Sequence, residues 1–217
     1  MKTLVQKTVA GVCAAALSST ALADDEVTRT YDMTGFEAID IAGVFDLDVT
    51  VGPEYSIRLD GPAEKIDRIE VSVSGNTLRL SRKKRKGVKW GREKDGSVHA
   101  EITLPSLVAF EASGVVDGDV VGIDAGRFAL EMSGVGDIDV SGECGSLVAD
   151  ISGVGDLNAK KLECATVRVS VSGVGDASVF AKDAVDASVS GMGSVDVYGS
   201  PEEVTKSGGF FADVTIH

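Results

Sequence analysis

The sequence predicts an all-β protein: a right-handed, three-sided parallel β-helix with coils of about 20 residues and an irregular N-terminal β cap. Three observations predict it. The pentapeptide SGVGD occurs at Ser133–Asp137, Ser152–Asp156 and Ser172–Asp176, with variants SGVVD at Ser113 and SGMGS at Ser190. Ser-Gly pairs start at 113, 133, 152, 172, 190 and 207, a period near twenty, and a fixed period of that size signals stacked repeats. On both sides of each pair, apolar and polar residues alternate with the period of two that marks a strand buried on one face.

The chain begins with a secretory signal pattern. Lys2 and Lys7 precede the apolar run Val9 to Leu17, and Ala21-Leu22-Ala23 offers a small-residue cleavage site after Ala23. The apolar run is too short to span a bilayer. Gly11-Val12 before Cys13 lacks the small residue that precedes a lipidated cysteine, so no lipid anchor is expected. Without residues 1–23 the chain carries 19 Lys/Arg against 34 Asp/Glu, a net of −15. Such a surface repels nucleic acid and anionic lipid and favours cations. Export also places the remaining Cys144 and Cys164 where pairing is allowed.

A short lead, 24–33, precedes what reads as one domain over 34–217. Its irregular part is 34–107. "FEAIDIAGVFDLDVTV" alternates through Phe36, Ile39, Ile41, Val44, Leu47, Val49 and Val51. "YSIRLDG" follows, then a helical candidate "PAEKIDRIE". "VSVSGNTLRLS" reads as a hairpin turning at Gly75-Asn76. A basic hairpin, 82–96, comes next, and "VHAEITLPSL" re-enters the stack.

Regular coils fill 108–217. Five residues before each Ser-Gly pair stand Val108, Phe128, Leu147, Val167 and Val185; three before stand Phe110, Leu130, Ala149, Val169, Ala187 and Val204. Between these columns lies a polar one, Glu111, Glu131, Asp150, Ser170, Ser188 and Thr205, two residues before the pair. After the pair, Gly118, Ile138, Leu157, Ala177, Val195 and Ala212 open a second strand. Each repeat is strand, glycine corner, strand and return. Stacking piles like residues about 4.8 Å apart and buries the inner face that a lone coil exposes.

The segments "GFEAIDIAGVFDLDVTVGPEYSIRLDGP", "ITLPSLVAFEASGVVDGDV", the repeated "SGVGD" and "VYGSPEEVTKSGGFFADV", in that order, resemble the auto-transporter adhesin head domain, or head GIN domain, over roughly Thr34 to Val214. The resemblance implies a secreted or envelope β-helix and brings no catalytic residues. "RKKRKGVKWGREKDG" is longer and more basic than that family's pattern at this place.

Four constellations are candidate sites. Asp117, Asp137, Asp156 and Asp176 recur four residues after the pair. Their carboxylates suit either hydrogen bonds to the glycine turn of their own coil or Ca²⁺; the known calcium repeat has nine residues, not twenty. "GVGD" lacks the following helix and the Lys-Ser/Thr of a phosphate loop. Arg82, Lys83, Lys84, Arg85, Lys86, Lys89, Arg92 and Lys94 surround Trp90, a solvated tip or a contact for an anionic glycan, head group or acidic protein. Cys144 and Cys164 each lie eight residues before a Ser-Gly pair, which puts them on adjacent coils at disulfide distance, with stacked free thiols as the other reading. His99 and His217, the only histidines, supply no triad. No cofactor follows from any motif. The expected function is a non-enzymatic binding or structural module at the cell envelope, with partners of unknown identity and self-association through the stack ends. The alternative is an envelope polysaccharide lyase or hydrolase.

Overall fold

The computed structural model describes residues 26–83, 97–209 and 212–217; the signal pattern 1–23 and most of the basic segment lie outside these. Among them, strands run β1 (Glu26–Tyr31), β2 (Ala38–Val51), β3 (Ser56–Pro62), β4 (Ile69–Ser74), β5 (Thr77–Arg82), β6 (Val98–Leu104), β7 (Ala109–Met132), β8 (Ile138–Ile151), β9 (Leu157–Val171), β10 (Ala177–Val189), β11 (Gly193–Gly199), β12 (Glu203–Gly208) and β13 (Ala212–Ile216). One short helix, α1 (Ala63–Ile66), interrupts them. The helical candidate "PAEKIDRIE" is thus helical for a single turn. It then turns at Asp67-Arg68, and β4 begins at Ile69, with Ile66 and Ile69 both buried.

The strands form one mostly parallel sheet in the order β1-β3-β6-β2-β7-β8-β9-β10-β11-β13, with β12 on β10 and β5 between β2 and β4. The result is a β-helix-like stack. Equivalent residues pair coil to coil: Gly118, Ile138, Leu157, Ala177 and Val195 form one register column. Phe128, Leu147, Val167 and Val185 form another. Both columns from Ile138 and Phe128 onward are buried. Fully burying one such aliphatic side chain stabilises by about 1.5–3 kcal/mol, so the stacked columns supply the main stabilising contribution. Phe36, Phe110 and Phe128 fill the early coils, whereas Ala177, Ala181 and Ala187 fill the late ones.

Two details depart from the sequence reading. Val44 faces solvent at 43% exposure, and Phe45 takes the buried place at 2%. The reason is register. Ala42-Gly43-Val44-Phe45-Asp46 pairs residue for residue with Ser113-Gly114-Val115-Val116-Asp117, so AGVFD is itself a corner. Second, Ser207-Gly208 is not a corner. Ser207 lies opposite Ser188, Val204 opposite Val185 and Ala212 opposite Gly193, two positions away from the expected columns, because the pair remains within β12.

The hairpin expected over 82–96 lies, but for Arg82 and Lys83, outside the described residues. β5 and β6 do not pair with each other; β5 runs parallel to the first part of β2 and β6 to the last part. Ala42 pairs with Ser81 and Phe45 with Val98, so residues 82–97 connect points that Gly43 and Val44 bridge in the next coil. The antiparallel hairpin is β4–β5, closed by Ser74 and Thr77, with Gly75 at φ +62°. That left-handed backbone favours glycine.

Candidate functional site

The corner column is where the repeat concentrates its chemistry. At each corner, valine N–H groups donate down the stack: Val135 to Gly114 O at 2.7 Å, Val154 to Gly134 O at 2.9 Å, Val174 to Gly153 O at 3.0 Å. The approach is so close that a Cβ at Gly134, Gly153, Gly173 or Gly191 would lie 1.8–2.0 Å from the carbonyl oxygen of the corner glycine one coil before. The second glycine has a different duty. Gly136, Gly155, Gly175 and Gly193 hold φ between +136° and +154°, a region that side chains disfavour.

The aspartates do not bond their own turn. Asp117 Oδ1 accepts from Asp137 N at 3.0 Å, Asp137 Oδ1 from Asp156 N at 2.8 Å, Asp156 Oδ1 from Asp176 N at 2.8 Å, and Asp176 Oδ1 from Ser194 N at 2.7 Å. Each carboxylate therefore satisfies an amide of the following coil. Ser194 needs no carboxylate of its own to donate its backbone N–H and its hydroxyl to Asp176, so the decayed corner still stacks. Among the described residues no three His, Cys, Asp or Glu side chains are grouped to hold a metal ion.

Between the serine and aspartate columns, Val44, Val115, Val135, Val154, Val174 and Met192 stand in register. All are exposed, by 43% to 57%. The alternation that sends Ser and Asp outward sends this residue outward too. That signal was present in every SGVGD, but the glycines on either side disguise it as part of a turn.

At the N-terminal end of this column the chain leaves for the basic segment. Arg82 closes β5, and Lys83 is anchored by its N–H to Arg68 O at 2.8 Å and its Nζ to Asp67 O at 3.1 Å. Lys84, Arg85, Lys86, Lys89, Trp90 and Arg92 lie outside the described residues.

Cys144 and Cys164 pair in register on β8 and β9, with Cα atoms 4.4 Å apart and a sulfur–sulfur bond between them. His99 lies 3.4 Å from an oxygen of Asp48 and 3.6 Å from one of Glu101. His217 contacts Asp196 at 2.9 Å and stacks on Tyr198 with ring centroids 4.7 Å apart. The two histidines lie on different strand pairs and share no partner in these contacts. On the polar column before the corner, partial desolvation pushes the Glu111 carboxyl above the ordinary range, and Asp40 and Glu131 add to it against the opposing charge of Arg79. An open groove of about 420 Å³ runs across β7–β10 and β12, lined by Arg127, Ser146, Thr166, Arg168, Asp186 and Glu203 among others. Arg168 is there already engaged by Asp186 at 2.9 Å.

Among solved structures, the chain is similar to a putative adhesin from Bacteroides fragilis NCTC 9343, at 27% identity and a TM-score of 0.72, over 90% of this chain and 98% of that one. It also shares its fold with a putative adhesin from Parabacteroides distasonis ATCC 8503, at 17% identity and a TM-score of 0.51, over 89% and 97% of the two chains. No curated protein matches it. The family described as putative auto-transporter adhesin, head GIN domain, matches residues 35–201, almost the whole of the stacked region. The chain belongs to that family.

Proposed function

We propose that the chain is an exported binding module of the cell envelope that performs no chemistry on its partner. The observation that carries this reading is the corner column, which presents the same outward side chains coil after coil. A surface of that kind gains contact area with each coil and does not converge on a point. Family membership and likeness to an adhesin of 27% identity support the same reading. We take residues 34–217 as one unit wound right-handed with three sides, exported by the pattern that ends at Ala23. No helix among the described residues is long and apolar enough to cross a membrane.

The basic segment, from Arg82 and Lys83 through Lys84, Arg85, Lys86, Lys89, Trp90 and Arg92, is the proposed contact for an anionic envelope partner. Its support is position and charge: it departs from the head of the corner column in a chain of net charge −13. Neutralising these cations should abolish binding to isolated envelope fractions or anionic glycans while the fold is kept. Turnover of an envelope polysaccharide, lost on changing one carboxylate beside His99, would overturn the reading in favour of an enzyme.

A further inference from the structure

The aliphatic ridge of Val44, Val115, Val135, Val154, Val174 and Met192 is the feature that the fold itself does not need. These side chains face solvent, and the neighbouring outward columns are polar from the second level on, with Ala42 in the serine column at the first. Ser113, Ser133, Ser152, Ser172 and Ser190 stand on one side; Asp117, Asp137, Asp156, Asp176 and Ser194 stand on the other. Yet this one column is aliphatic at all six levels. Aligned exposed apolar residues rimmed by polar ones mark an interaction surface.

We propose that the ridge is a docking site for a cationic amphipathic helix of a partner polypeptide. This rests on reading the chain as a binding module and names one partner class for it. Charge selects the partner's sign. Beyond the serines runs a polar row, acidic at Glu111, Glu131 and Asp150 and continued by Ser170 and Ser188, and beyond the ridge run Asp46 with Asp117, Asp137, Asp156 and Asp176, then Asp119 and Asp139, every one of these carboxylates exposed. A stripe of apolar residues with acidic residues on both sides over the levels of Val115, Val135 and Val154, and on the aspartate side beyond, complements a stripe with Lys or Arg along its flanks. A second copy of the same face would set carboxylate against carboxylate, and an anionic bilayer would meet the same repulsion.

Spacing selects the partner's shape. The ridge repeats about every 4.8 Å, one strand separation per coil, and its six levels extend roughly 24 Å. A helix offers one apolar residue per turn of 5.4 Å, so about sixteen residues would follow the ridge with a drift of only about 0.6 Å per level. An extended strand presents same-face side chains about 6.8 Å apart and loses register within two coils.

The test uses an 18-residue Leu/Lys peptide with a single leucine stripe, and a scrambled peptide of the same composition, titrated against the intact protein by fluorescence anisotropy. The striped peptide should bind and the scrambled one should bind at least about tenfold more weakly. Val135→Ser, Val154→Ser and Val174→Ser together should weaken binding about tenfold or more with the melting temperature kept, since each site is exposed. A rail variant, Glu111→Gln with Glu131→Gln and Asp150→Asn, should weaken it several-fold and reduce its salt dependence. Equal binding of both peptides, or insensitivity to the ridge variant, overturns the proposal. So does partition of the protein onto phosphatidylcholine–phosphatidylglycerol vesicles that requires the ridge, or ridge-dependent dimerisation in sedimentation. A rise in peptide affinity of about tenfold on replacing 84–96 with Gly and Ser would assign the ridge to this chain's own basic segment and overturn it too. Loss of envelope binding only on neutralising the basic segment would leave the module reading standing while the ridge proposal falls.

Discussion

Asp137 Oδ1 receives the backbone N–H of Asp156 across 2.8 Å, from one coil to the next. The aspartate of SGVGD is therefore a staple between turns, and its partner is the amide at the same corner position one repeat later, an Asp or, after Asp176, Ser194.

Removing one staple strands one amide. Asp137→Ala should cost about 1 kcal/mol, the usual net worth of such a hydrogen bond at an exposed site. Asp137→Asn, which keeps an acceptor oxygen, should cost less. Chemical denaturation of the three proteins checks the order. Addition of Ca²⁺ or of a chelator should leave the melting temperature unchanged, because the carboxylates are already committed to amides.

Glycine substitutions should divide sharply by position. A Cβ at Gly153 would lie 1.9 Å from Gly134 O, whereas one at Gly126 would meet nothing within 4 Å. Gly153→Ala should destabilise by more than about 3 kcal/mol or prevent folding, because backbone cannot yield as a side-chain tip can. Gly126→Ala should be neutral within about 0.5 kcal/mol. Soluble yield and melting temperature separate the two.

Much of this organisation was legible in the residues. Period, alternation and the cysteine register all follow from side chains that repeat, and a repeat cannot hide its spacing. The misreadings share one cause. Val44 was placed inward, and Ser207 at a corner, because local alternation carries no information about which residue lies one coil away. Pairing of Ala42 with Ser113 and of Ser188 with Ser207 is a long-range choice, made by the packing of Phe45 and by the extent of β12. The ridge is hidden in the sequence because glycine on both sides makes an outward valine look like a turn residue. The strands that flank the basic segment, β5 and β6, belong to one coil and pair with β2.

Reduction should loosen the middle of the stack. The Cys144–Cys164 bond links residues separated by 20 in sequence, and closing a loop of that size restrains the unfolded chain by roughly 3 kcal/mol. Intact mass should rise by two hydrogen atoms on reduction by a thiol or phosphine reductant, and the denaturation midpoint should fall. A mass unchanged by reductant would show free thiols instead.

Acid should relieve one local repulsion. The Glu111 carboxyl titrates above its ordinary range because of desolvation, with Asp40 and Glu131 adding to the shift. A group whose folded-state pKa is raised holds its proton better when folded, so it disfavours the fold as pH climbs from the ordinary glutamate range through the raised value. Glu111→Gln should therefore raise the melting temperature at neutral pH by on the order of 1 °C. The gain should vanish below the ordinary glutamate range, where both proteins are neutral at this site. Paired melts at pH 7 and pH 3.5 read the difference.

The corner between Ser81 and Val98 has a consequence for how such a protein can be altered. There the chain departs for the length of the basic segment and returns, yet β5 and β6 keep the same alignment to β2 that an uninterrupted coil would have. The wall does not register what is threaded through its corner. Each of the other corners is then a socket of the same geometry, into which a foreign sequence could be spliced without disturbing the levels above and below. The natural chain has used one such socket, and the six corners at Gly43, Gly114, Gly134, Gly153, Gly173 and Gly191 stand empty beside it.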